Sequence, residues 1–382
     1  MTGQNSGTIR TGLFGQLILA MASVAATLVM FSPHLWLMRH EVPEAFQWHR
    51  ALTFLAQCAE PFRSDVEPAM RWRVLPPIVS STLHLRGYFP LILPWLGVLF
   101  LTGYVSNLLA KRISNWRYIL GGTLLITTTS AVLVPIGWLG INDAWVWVGL
   151  LVIAFGRSRM ALILASLLCP WVDERFLIGF PLAWLVRQAE SEHAFSPREV
   201  LSWIWLLPYG IIRIVLASTL VHDEASVHFL KHAVTEASAY AAFAPFGWWM
   251  GLRVGWLLAI YALIKVGWIE RGLLLTVAGA TLLTMMLVAS DLSRSVAILV
   301  PLVLLGCFRV AREFGSSASQ IMLRLGVANL LIPAAHVIYT KIDVISPLPI
   351  ELFRLFRTQQ HSISLALPAE HCRFSGGYSS IE

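Results

Sequence analysis

Apolar runs of membrane length alternate along the chain with short polar breaks. The stretch LFGQLILAMASVAATLVMF centres a first spanning helix over roughly 12–35, and full-length runs follow at roughly 88–110 and 118–137. A spanning helix needs about 20 apolar residues. Further runs near 199–221, 246–264, 272–289, 295–308 and 321–339 are read the same way. Three segments are shorter: 144–155, 160–170 and 176–186, separated by GRSR at 156–159 and DER at 173–175. Broken apolar segments survive in a bilayer where their ends line a polar cavity, so a wet vestibule is expected here. The pattern predicts an all-α, polytopic integral membrane protein of about eleven spanning or partly spanning helices.

Between the first two spans lies a polar, amphipathic stretch, roughly 36–87. Within it 74–85 is apolar for only a dozen residues, which predicts a re-entrant or interfacial segment. No internal repeat or low-complexity linker divides the chain. The expectation is a single membrane domain over 1–382, with a helical core to about 340 and a surface helix and loose tail over 341–382.

Composition agrees: 57% of residues are hydrophobic and 13% charged, against about 25% charged in soluble domains. The net charge of +7 is therefore no argument for nucleic acid; in this class Lys and Arg mark cytoplasmic loops. Sixteen tryptophans suit membrane interfaces. The first apolar run exceeds a signal-peptide core and is read as an uncleaved helix. Lys111, Arg112 and Arg117 form the clearest basic loop. Counting outwards places the N-terminus, GRSR, 187–198, 265–271 and 309–312 on its cytoplasmic face. The opposite face, with the C-terminus, collects Asp65/Glu67, Asp143, Asp173/Glu174 and Asp291.

The most charged short segment is EPFRSDVEPAMRWRVLPP, 60–77. In extended backbone Asp65 and Glu67 share a face. They suit a hard divalent cation, proton abstraction or simple loop solvation. Arg71 and Arg73 follow at once, placed either to snorkel or to grip a phosphate bidentately. Asp143 reads as a helix N-cap or a site residue. Asp173-Glu174-Arg175 and Asp291…Arg294 place charges between apolar runs, where ionisable groups are paired or functional; Asp291 and Arg294 also have same-helix pairing distance. Arg213 sits inside an apolar run, as a lipid-phosphate anchor or the partner of an acid. His228 and His232, i and i+4 after His222-Asp223-Glu224, fit an amphipathic helix or, without an HExxH motif, a weak metal pattern. Cys169 and Cys307 read as core residues. Cys58 and Cys372 are a candidate disulfide.

An acidic pair in the first outer loop of a many-span protein resembles the GT-C superfamily of membrane glycosyltransferases. RWRVLPP (71–77), the Asp143 loop, DERF (173–176) and DLSR (291–294) are similar to motifs of bacterial proteins in that group. The resemblance covers the layout of roughly residues 10–340; it lacks the large C-terminal soluble domain of many members. It implies sugar transfer from a polyprenyl-phosphate carrier at the non-cytoplasmic face of the bacterial inner membrane. Asp65 and Glu67 would then be catalytic together with Asp173 and Glu174. Arg71, Arg73, Arg175 and Arg294 would hold the carrier phosphate, with Mg or Mn as a candidate cofactor at Asp65 and Glu67. Asp143, Asp291 and Arg213 remain further site candidates. The rival classes are a transporter or flippase of a lipid-linked or anionic substrate, and a non-catalytic membrane partner in envelope polysaccharide assembly.

Overall fold

The computed structural model describes residues 12–40, 46–63, 65–66, 68–190, 201–219, 241–288, 291–338 and 340–360. It is mostly helical. Among the described residues four stretches are long and apolar enough to cross a membrane: Leu13–Met30, Phe89–Ala110, Trp268–Leu287 and Leu292–Leu331. Two bent pairs raise the number to six if each counts as one span. The expected eleven crossings are not supported. The reason is helix length: Asp143–Phe155 and Arg159–Leu168 are 13 and 10 residues long, well short of the roughly 20 a bilayer requires.

Asp143–Phe155 is apolar all round and buried on nearly every side, as expected of a helix at the centre of a bundle. Arg175–Glu190, Ile92–Ala110 and Val300–Phe314 pack around it. Trp116–Thr127 crosses Ala318–Leu331 at two glycines. A Cβ on Gly326 would lie 2.3 Å from the Gly121 carbonyl oxygen, so the backbones meet as small-residue membrane helices do. The outer faces stay apolar: Leu13, Phe14, Trp268, Ile269 and Ile214 are all exposed.

The first bent pair is Trp116–Thr127 with Ser130–Gly137, turned by 57°. At its break Thr127, Thr128 and Thr129 donate their hydroxyls back to the carbonyls of Leu124 and Ile126, satisfying groups a bilayer would leave unpaired. The second, Ala241–Leu252 with Gly255–Ile264, turns by 92°. Asn329 ties the two breaks together: its Oδ1 accepts from Val254 N at 2.9 Å, and its Nδ2 donates to Thr128 Oγ1 at 2.8 Å.

The last predicted span is corrected too. Its helix stops at Leu331, and β1 (Ala334–Ile338) pairs antiparallel with β2 (Lys341–Ile345), His336 facing Asp343. The fold is therefore mostly helical, as the all-α reading expects, with one hairpin among the described residues. The stretch from 341 begins as a strand before the helix Leu348–Gln360. Between 74 and 85 the short helix Leu75–Thr82 forms, started by prolines in its first turn. Glu67, Cys372 and the 222–232 acid–histidine loop lie outside the described residues.

Candidate functional site

Separate segments bring their charges to one place. Asp143 is the first residue of its helix, after Asn142, and its carboxylate faces arginines rather than its own backbone. Arg294 reaches it with a fork, Nε to Oδ2 at 2.6 Å and Nη2 to Oδ1 at 2.7 Å. Arg175 Nη2 also donates to Asp143 Oδ1 at 2.7 Å. The same guanidinium grips Asp173 through Nε to Oδ1 at 2.8 Å and Nη2 to Oδ2 at 2.7 Å. Arg73, just before the Leu75–Thr82 helix, lies 3.0 Å from Asp173 and 3.1 Å from Glu174. At the far end Asp291 caps the Leu292–Ser295 turn, accepting from Arg294 N at 3.1 Å. His336 Nε2 stands 3.2 Å from the Asp291 carboxylate.

The result is a ladder of alternating sign: Glu174, Arg73, Asp173, Arg175, Asp143, Arg294, Asp291, His336. Its middle is buried, with Asp143 and Asp173 each 2% exposed, while the Glu174 side chain is 42% exposed. Three guanidiniums face four carboxylates, so the ladder carries one net negative charge when His336 is neutral. Asp173 lies in a turn outside the spanning helices. Burial alone would push its carboxyl up, but Arg175 and Arg73 more than offset this and hold it below the usual carboxylate range. A cavity of about 30 Å³ adjoins the ladder, lined among others by Arg50, Gln57, Arg73, Asn142, Asp143 and Arg294. That is room for a water or two.

Asp65 is not brought to the ladder. Its side chain is 65% exposed and paired with Arg63 at 2.5 Å, and that hydrogen bond lowers its carboxyl below the usual range. Arg71 ends the Pro68–Arg71 turn, half-buried. Arg213 stacks over Trp72 at 4.2 Å, one turn from Tyr209, which meets Trp171 edge-on at 4.6 Å. The ladder's carboxylates do not fit a divalent cation. Both oxygens of Asp143 and of Asp173 are already occupied by guanidinium donors. Among the described residues no three His, Cys, Asp or Glu side chains form a metal-binding group.

His336 is the member the sequence reading missed. Its Nδ1 lies 2.9 Å from Ser293 Oγ, and its ring is 4.2 Å from Trp138. The one signal was a histidine inside an otherwise apolar run, where an ionisable group demands a partner. No known protein family, curated protein or solved structure matches this chain.

Proposed function

We propose that the protein is a membrane glycosyltransferase that takes a sugar from a polyprenyl-phosphate carrier, with the Glu174 end of the ladder as its reactive edge. The observation carrying this reading is the gradient along the ladder. Its middle is buried and saturated, whereas the Glu174 side chain is 42% exposed and, among the described residues, tied through Arg73. Trp72 and Trp171, close by in the chain, meet Arg213 and Tyr209 of the apolar helix Leu207–Thr219. An amphiphile could bring its phosphate to this edge from the side. Glu174 would take the acceptor hydroxyl's proton as the oxygen attacks the anomeric carbon. The carrier phosphate would leave with the electron pair of the broken C–O bond, its charge met by Arg73. Arg175 and Arg294 would hold the frame, and Asp65 would have no part in the chemistry. The site would face the non-cytoplasmic side of a bacterial inner membrane.

Transport of an anionic or lipid-linked substrate is the second reading. Two broken spans that meet at Asn329 favour it, because discontinuous helices mark midplane substrate sites in transporters. Purified protein in vesicles with labelled polyprenyl-phosphate sugar separates the two. Transfer yields free carrier phosphate, and Glu174→Gln and Arg73→Gln should lower turnover by about 10²–10³-fold while the protein still folds. Movement of intact lipid across the vesicle without cleavage would replace the enzyme by the carrier.

A further inference from the structure

The ladder leaves one buried cation unexplained. Arg253 stands at the 92° break, directly after the helix Ala244–Leu252. It is 0% exposed, and its φ of 49° lies in the left-handed region that glycine fills without strain. Nη1 donates to Ile332 O at 2.8 Å, and the guanidinium lies 4.7 Å from the centre of the Phe31 ring. Among the described residues Nε and Nη2 have no hydrogen-bond partner and no carboxylate pairs with the group.

A guanidinium does not shed its proton, and a buried intramembrane charge calls for partners, of which Ile332 O and the Phe31 ring meet only part of this group. The unpartnered atoms are not a random pair. Nε–H and Nη2–H point the same way and form the fork that receives two oxygens of one carboxylate or phosphate. The polar surroundings are already committed: Asn329 is used up by Val254 N, Leu125 O and Thr128. Phe31 and Leu252, beside the arginine, are buried and apolar. Among the described residues no group bonds to the fork and no carboxylate neutralises it.

We propose that Arg253 anchors a second, buried binding site, for a small oxyanion carrying a carboxylate or phosphate group, at the junction of the two broken spans. It shares no residue with the ladder and does not rest on the sugar-transfer reading. The oxyanion is either a free ion or the headgroup of an amphiphile, since the fork recognises the same two oxygens in both.

The test uses full-length protein in neutral detergent, with melting temperature followed by tryptophan fluorescence. Acetate and inorganic phosphate are titrated against chloride at constant ionic strength. A parallel series uses phosphatidylcholine nanodiscs with and without phosphatidic acid. Native mass spectrometry of the purified protein detects an occupant carried through. Wild-type protein should show either a retained anionic mass or a rise of about 1–2 °C for each tenfold excess over Kd. A rise with the free ions assigns a soluble oxyanion; a rise only in the phosphatidic acid discs assigns a lipid headgroup. Arg253→Gly suits the positive φ and should fold, yet lose both signals. Arg253→Lys keeps the charge without the fork and should weaken the response at least about tenfold. No retained mass and no ligand-dependent rise in wild type, or an equal response in Arg253→Gly, overturns the site.

Discussion

The two polar ends of the bundle use the same chemistry with different consequences. At one end the basic loops gather around two acids: Glu190 accepts from Arg112 and, at 3.1 Å, from Arg312, Glu313 accepts from Lys265 at 2.7 Å, and Arg309 donates to Ala189 O. Arg187 closes the same end on the carbonyls of Ile153 and Gly156. The arginines pairing with Glu190 are about one-third exposed, although the Glu190 side chain itself is 10% exposed. At the other end Asp143 is held by two arginines whose side chains are each 7% exposed. Exposed pairs are worth about 0–1 kcal/mol. Breaking a buried pair strands a charge and costs about 3–5 kcal/mol. Burial, not the number of contacts, separates an end that tolerates change from one that fixes the fold.

The largest effect should therefore come from Asp143→Ala. It removes the acceptor of both Arg175 and Arg294 at once. The expected loss is about 3–5 kcal/mol, read as a lower melting temperature in detergent and reduced yield. A loss below about 1 kcal/mol would mean that water reaches the ladder and the contrast between the ends is false.

A smaller effect belongs to the strap beside the ladder. His34, after the first helix, bonds Asp343 of β2 at 3.2 Å and approaches the buried Glu351 at 3.7 Å, while Arg354 holds the same Glu351 oxygen. The hydrogen bond to Asp343 is the largest influence on the imidazole and, against burial, raises its pKa. The folded value exceeds the unfolded one, so this stabilisation is complete below about pH 6.5. It is lost as pH rises through the folded pKa. Between pH 5.5 and 8.5 wild type should lose up to about 1.5 kcal/mol relative to His34→Gln, whose curve should lack this step. Parallel curves for the two proteins would remove His34 from the strap.

Much of this contrast was readable in the sequence. Grouping basic loops against acidic sites put Asp143, Asp173, Glu174 and Asp291 together, and the ladder joins them. That worked although the count of spans failed, because charge segregates to bundle ends whether or not each helix crosses. Asp65 stands apart from the ladder for a local reason: two residues of spacing to Arg63 are enough for a pair, and spacing says nothing about tertiary reach. His336 was hidden because a short apolar run such as LIPAAHVIY fits helix or strand equally. Arg253 escaped notice since nothing in GLRVG marks a buried left-handed turn.

The smallest effect should be Glu190→Gln, and it is the most informative about why the ends differ. The side chain keeps its shape and loses only its charge, so the cost should stay at or below about 1 kcal/mol. That cost should shrink further with salt, since the Debye length falls from about 10 Å at 0.1 M to 3 Å at 1 M. The penalty for Asp143→Ala should hold across the same range, because ions do not reach a carboxylate that is 2% exposed. Melting both variants against wild type at 0.1 M and 1 M NaCl compares the ends directly. A salt-insensitive cost at Glu190 would show that the basic end is as dry as the ladder, and its arginines would then belong to the core.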